Sequence, residues 1–126
     1  MERFDDSELA SDWRLIVDCY SVQHDTYILS GRSLAAHLSG VCIALERGDD
    51  PSLLRTVQQW LSRTRELAKP AVPARRGDAT INEVIAAPPE ERHAVVMRWA
   101  ASAWEAWSEH HALARAWIAS AQEGRL

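Results

Sequence analysis

No stretch of the 126 residues approaches the ~18 consecutive apolar residues that a membrane-spanning helix needs. The first residues, Met1 to Asp12, are acidic and lack the basic region and apolar run of a signal peptide. A cytoplasmic protein without a membrane partner is the expectation. Cysteine is scarce, with two residues and no Cys-x-x-Cys spacing. Cys19 and Cys42 therefore read as reduced thiols, and Cys42 sits in the apolar run Val41 to Leu45 as a small hydrophobe. Neither has the setting of a catalytic nucleophile. Basic clustering is confined to Arg75-Arg76 within a Pro-bearing stretch. With a formal charge of −4, this disfavours nucleic acid as a partner, because phosphate-driven affinity needs clustered Lys and Arg. A Gly-rich phosphate loop, a Gly-x-Ser-x-Gly turn and a His-Glu-x-x-His helix are all missing. Nucleotide hydrolysis, serine-hydrolase chemistry and zincin proteolysis are thereby disfavoured. There is no sustained strand-type alternation, no internal repeat and no low-complexity tract.

What is present is helical periodicity at a length suited to one domain, residues 1–126. A first helix is expected to begin after Asp5-Asp6-Ser7, capped by Ser7 or Asp6. It carries Leu9, Trp13, Ile16, Val17, Tyr20 and His24 on one face and ends at Gln23-His24. Ser30 or Ser33 opens a second helix on the stripe Leu34, Leu38, Val41, Leu45, ending at Gly48. Asp50 followed by Pro51 marks the start of a third, running to Ala68 with Leu54, Val57, Trp60 and Leu61 buried. Lys69 to Gly77 is an irregular connection. Asp78 or Thr80 caps a short helix through Ile81, Val84 and Ile85. Pro88-Pro89-Glu90-Glu91 then begins the longest helix, reaching Ala121 along the seam Val96, Ala100, Ala103, Trp107, His110, Ala114, Trp117. An all-α fold, a four-helix bundle with one short extra helix, is the predicted architecture.

The histidines carry the chemistry. His24, His37, His110 and His111 fall on or beside apolar stripes of three separate helices, where buried imidazoles need partners. Three of them around one point would make a transition-metal site for zinc, iron, manganese or nickel, with nitrogen–metal distances of about 2.0 to 2.2 Å. An open fourth position would hold a water, a potential nucleophile. Periodicity does not decide which of His110 and His111 faces inward. The competing reading is four histidines each satisfied by a backbone or side-chain group. Six tryptophans, four of them in the last helix, either fill the core or line a pocket. Trp104 and Trp107 stand within a turn of the His110-His111 pair, and Tyr20 and Gln23 lie beside His24, so these four are the candidate ligand-contacting residues. Asp18, Gln23 and Glu46 are the polar residues placed to orient a histidine or act as a base. Glu90-x-x-His93 is a single copy of a motif that di-iron bundles need twice, so Glu90 and Glu91 read as helix-dipole partners and His93 as solvated.

The segments Asp18-Cys19-Tyr20-Ser21-Val22-Gln23-His24, Ser33-Leu34-Ala35-Ala36-His37-Leu38-Ser39-Gly40, Ala44-Leu45-Glu46-Arg47-Gly48 and Trp99 through Trp104-Glu105-Ala106-Trp107 to His110-His111 resemble an uncharacterised bacterial all-helical family of unknown function, over nearly the whole chain. The Cys-x-x-Cys segment that often precedes the helices in that family is missing here. In architecture alone the pattern is similar to DinB-type bundles, in which histidines from separate helices hold a divalent metal. That likeness implies a metal-binding bundle, with a small molecule as substrate. Against it stand a non-catalytic ligand-binding bundle with structural histidines, and a module that forms a homodimer through exposed apolar helix surface.

Overall fold

The computed structural model describes residues 6–24, 26, 28–64, 66–73 and 80–124, with side chains from Asp12 onward. Six α-helices are found there: α1 (Asp6–His24), α2 (Gly31–Glu46), α3 (Pro51–Arg63), α4 (Ile81–Ala86), α5 (Arg92–Ala106) and α6 (His111–Glu123). Two 3-10 turns, Pro89–Glu91 and Ser108–His110, precede α5 and α6, and no strand occurs among the described residues. The protein is all-α, as its periodicity predicts. Expected capping by Asp6 or Ser7, the burial of Leu9, the Arg75-Arg76 loop and a cap from Asp78 lie outside the described side chains.

The organising element is α2. Its sequence is apolar nearly all round, and such a helix must be covered on every side. Leu34, Ala35, Leu38, Val41, Cys42, Ile43 and Ala44 are all buried. Helices α1, α3, α5 and α6 pack around it. Ser30 caps α2 by accepting from the Ser33 amide at 3.1 Å, and Asp50 caps α3 by accepting from the Ser52 amide at 2.9 Å. Between these helices Gly48 and Asp49 both adopt positive φ, 64° and 54°, which turns the chain within a few residues.

Two boundaries differ from the sequence reading. Helix α3 ends at Arg63, not at Ala68. The Thr64 hydroxyl donates to the Trp60 carbonyl at 2.9 Å, competing with the helical ladder, and the Arg32 guanidinium donates to the Thr64 carbonyl at 3.2 Å. The chain then runs across the start of α2, so close that a Cβ at Gly31 would lie 1.9 Å from the Leu67 carbonyl oxygen. Only glycine permits that approach. Secondly, the expected continuous helix to Ala121 is broken at Trp107–His110. The Trp107 amide donates to both Ala103 and Trp104 carbonyls, and the indole N–H of Trp107 reaches the Val22 carbonyl at 3.2 Å. The break sends α5 against α1 and α2, and α6 against α2 and α3. One straight helix could not cover both surfaces.

Candidate functional site

Helices α1 and α3 lie on either side of α2, and the groove between them over α2 is a recess of about 290 Å³. Residues three, four and seven apart share a helix face, and each wall follows that spacing. Arg14, Val17 and Asp18 come from α1; Ala36, His37, Ser39, Gly40 and Ile43 from α2; Leu54, Val57 and Gln58 from α3. Five of the lining side chains are aliphatic, Val17, Ala36, Ile43, Leu54 and Val57, and the polar ones, Arg14, Asp18, His37, Ser39 and Gln58, come from all three helices.

Asp18 is the centre of that polar group. It is 6 % exposed, with Arg14 donating to Oδ2 and His37 Nδ1 at 2.9 Å from Oδ1. Arg14 also bonds Asp49, in the turn between α2 and α3, and so ties α1 to that turn. Burial pushes the Asp18 carboxyl above the usual carboxylate range, although the His37 hydrogen bond and the Arg14 charge pull the other way. Gly40 is what admits the carboxylate: a Cβ there would lie 2.2 Å from Asp18 Oδ2. Because Nδ1 of His37 faces Asp18, Nε2 is left without a hydrogen bond among the described residues. Ser39 is 1 % exposed, and its hydroxyl has no hydrogen-bond partner among the described residues. Buried hydroxyls without partners are few in folded proteins.

Of the eight residues expected to form a site, only His37 lines this recess. His24 is exposed at the end of α1, its ring 4.6 Å from that of Tyr20. Gln23 is buried, accepting from the Trp99 indole at 2.7 Å. His110 Nε2 donates to the Ala71 carbonyl at 2.7 Å. His111 Nε2 donates to the Trp104 carbonyl at 2.6 Å, while its ring stacks on Trp104 at 3.7 Å and 7°. Trp104 and Trp107 are core residues, 8 % and 0 % exposed. Neither member of the His110-His111 pair is fully buried. The expected convergence of three histidines is not the arrangement found, and among the described residues no three His, Cys, Asp or Glu side chains are grouped to hold a metal ion. The physical reason is that each of these rings is taken up by its own neighbours.

His93 is exposed as expected, yet its Nδ1 lies 2.6 Å from Oδ1 of Asp12, which is 3 % exposed. Helix α1 thus buries two aspartates, each facing a histidine of another helix. Sequence reasoning named Asp18 as an orienting group but missed Arg14, Ser39, Gly40 and Gln58. The available signal was the Arg14, Asp18 pair four residues apart on a face that also buries Leu15 and Cys19. Both cysteines stay as expected: burial, then the neighbouring Asp18, pushes the Cys19 thiol up to about 12, and burial, then Glu46, does the same for Cys42.

These features define an all-helical protein with a carboxylate–histidine recess on its central helix. The chain belongs to the family of unknown function DUF5946, whose model matches residues 1–108 and so takes in all three walls of the recess. No curated protein and no solved structure matches the chain. Among the described residues, no helix is long and apolar enough to cross a membrane.

Proposed function

We propose that the protein is a small-molecule-binding helical module whose site is the recess bounded by Arg14, Asp18, His37 and Ser39. The observation that carries this reading is a recess of about 290 Å³ in which aliphatic side chains stand beside the buried Asp18 carboxylate and its His37 partner. Pockets of about this size, mostly apolar with a few convergent polar groups, are the usual form of a ligand site. Histidines that serve structure elsewhere in the chain fit the non-catalytic alternative read from the sequence. The test is a fragment screen followed by amide chemical shifts. Binding should perturb Val17, His37, Ser39 and Val57 together, and Ala36→Phe, which fills the recess, should abolish the response. Perturbations scattered over the surface, or unchanged in the filled variant, would reject the reading.

A metal-binding bundle is the second reading, and the Asp18–His37 pair favours it. A carboxylate on one imidazole nitrogen is the arrangement that orients histidine toward a metal through the other. Metal analysis of untagged protein after incubation with zinc, iron, manganese and nickel tests it. Stoichiometric uptake that His37→Ala removes would support it, and uptake untouched by that variant would not. A homodimer is the third reading. Trp13, Val17 and Tyr20 are 66 %, 42 % and 40 % exposed along one side of α1, and light scattering decides whether they are covered by a second copy.

A further inference from the structure

Resting on the reading of the recess as a small-molecule site, we infer that its occupant is a linear aliphatic chain that leaves the recess along the seam between α2 and α3, with its one polar end group beside Ser33 and Ser62. A second hollow of about 280 Å³ lies on that seam, lined from α2 by Arg32, Ser33 and Ala36 and from α3 by Gln58, Leu61 and Ser62. Ala36 and Gln58 also line the recess. The two hollows therefore meet there, and on the α2 side the junction is a single methyl group. Helices α2 and α3 are joined by the turn at Gly48 and Asp49 and run antiparallel. From the recess to the second hollow the lining passes from Ile43 through Ala36 to Ser33 on α2, and from Leu54 through Gln58 to Ser62 on α3. That order is what one groove along one helix seam produces. Between Ile43 and Ser33 it runs about 15 Å, at ~1.5 Å of rise per residue.

The two ends of the groove differ in character. In the recess Val17, Ile43, Leu54 and Val57 present aliphatic surface, while Arg14, Asp18 and His37 are bonded to one another. An alkyl chain entering there gains by the apolar area it takes from water. At the other end Arg32, Gln58 and Ser62 are exposed, so a polar end group placed there keeps its hydration instead of losing it. A compact molecule fills one hollow. Only a chain uses both.

The experiment titrates 1-octanol, 1-butanol and cyclohexanol separately into the full chain and follows amide chemical shifts. 1-Octanol should perturb Ser33 and Ser62 together with Val57, and bind about tenfold more tightly than 1-butanol, because its added methylenes are buried along the seam. Butanol and cyclohexanol should perturb the recess alone. Overhauser contacts to Val57 should come from the octanol methyl group, and contacts from its carbinol protons instead would overturn the inference. Ser33→Phe fills the second hollow from a position that does not line the recess. With its helical circular dichroism unchanged, it should bring octanol down to the butanol affinity. Should that variant lose helicity, Ser62→Phe makes the same test from α3. Octanol binding no tighter than butanol, or an advantage that survives the filled hollow, would overturn the inference and leave the recess a ligand site. If none of the three alcohols perturbs the recess, the inference and the reading beneath it fall together.

Discussion

Gly40 shows how much one residue settles. Alanine is the better helix former by about 1 kcal/mol, yet here its methyl would have to displace the Asp18 carboxylate, against which the glycine Cα packs. Overpacking of this kind costs about 1–3 kcal/mol, and moving Asp18 also loosens Arg14 and His37. Gly40→Ala should therefore destabilise the fold despite its propensity gain, by about 1–2 kcal/mol net. Urea unfolding checks it, and a rise in midpoint would reject the account of the close approach. The cysteines give a second expectation. Thiols pushed up to about 12 are protonated at neutral pH, and the thiolate is the reactive form. Cys19 and Cys42 should react with a thiol reagent at pH 8 far more slowly in the native protein than in urea, and equal rates would contradict their burial.

Among the elements, the break between α5 and α6 has the clearest local cause. The His111 ring lies flat on Trp104 and donates to the Trp104 carbonyl, which at the end of α5 accepts from the Trp107 amide as well. One residue thus closes one helix while it opens the next. Removing it loses a stacked aromatic pair and a hydrogen bond, about 1–2 kcal/mol together. His111→Ala should lower stability by that amount and shift the fluorescence of Trp104, whereas His24→Ala, whose exposed ring meets Tyr20, should change stability little. Equal losses in the two variants would mean that the junction is not held by His111. Helix α6 begins beyond residue 108, where the family match ends. It nevertheless buries Ala114, Trp117, Ile118 and Ala121 against the helices that carry the recess.

For the molecule as a whole, acid stability couples α2 to α6. Glu46 accepts from Arg115 at 2.8 and 2.6 Å. Chiefly through this bond, its carboxyl is lowered from the ordinary 4.5 to about 2. A carboxyl depressed by folding adds stability above its unfolded value, and that stability is lost as pH falls through the folded value. The difference in urea midpoint between wild type and Glu46→Gln should thus shrink as pH drops from 4.5 toward 2. A difference that persists at pH 2 would show that the pairing is not its source. Asp18 acts in the opposite sense. Its carboxyl is raised by burial, so its contribution is full below the ordinary value of 3.8 and is lost as pH rises through the folded value.

The sequence alone determined the helical class, the end of α1 at His24 and that of α2 near Gly48, the Asp50 cap, and the choice of Ser30 or Ser33 as the cap of α2. These depend on residues close together along the chain, and periodicity and capping report such local physics directly. It also marked His37 beside an apolar stripe and Asp18 as a residue placed to orient a histidine or act as a base. Only the tertiary structure decided that they face each other, that His110 and His111 bond backbone carbonyls, and that the last helix is two. Those outcomes turn on which carbonyls and carboxylates reach each ring from other parts of the chain. A stripe states that a residue faces inward and is silent on what it meets there. The recess has the same origin. It exists because α1 and α3 pack on α2 with a groove between them, and α1 is held there by Asp18 against Gly40 and by Arg14 reaching Asp49, contacts between distant parts of the chain that no periodicity encodes.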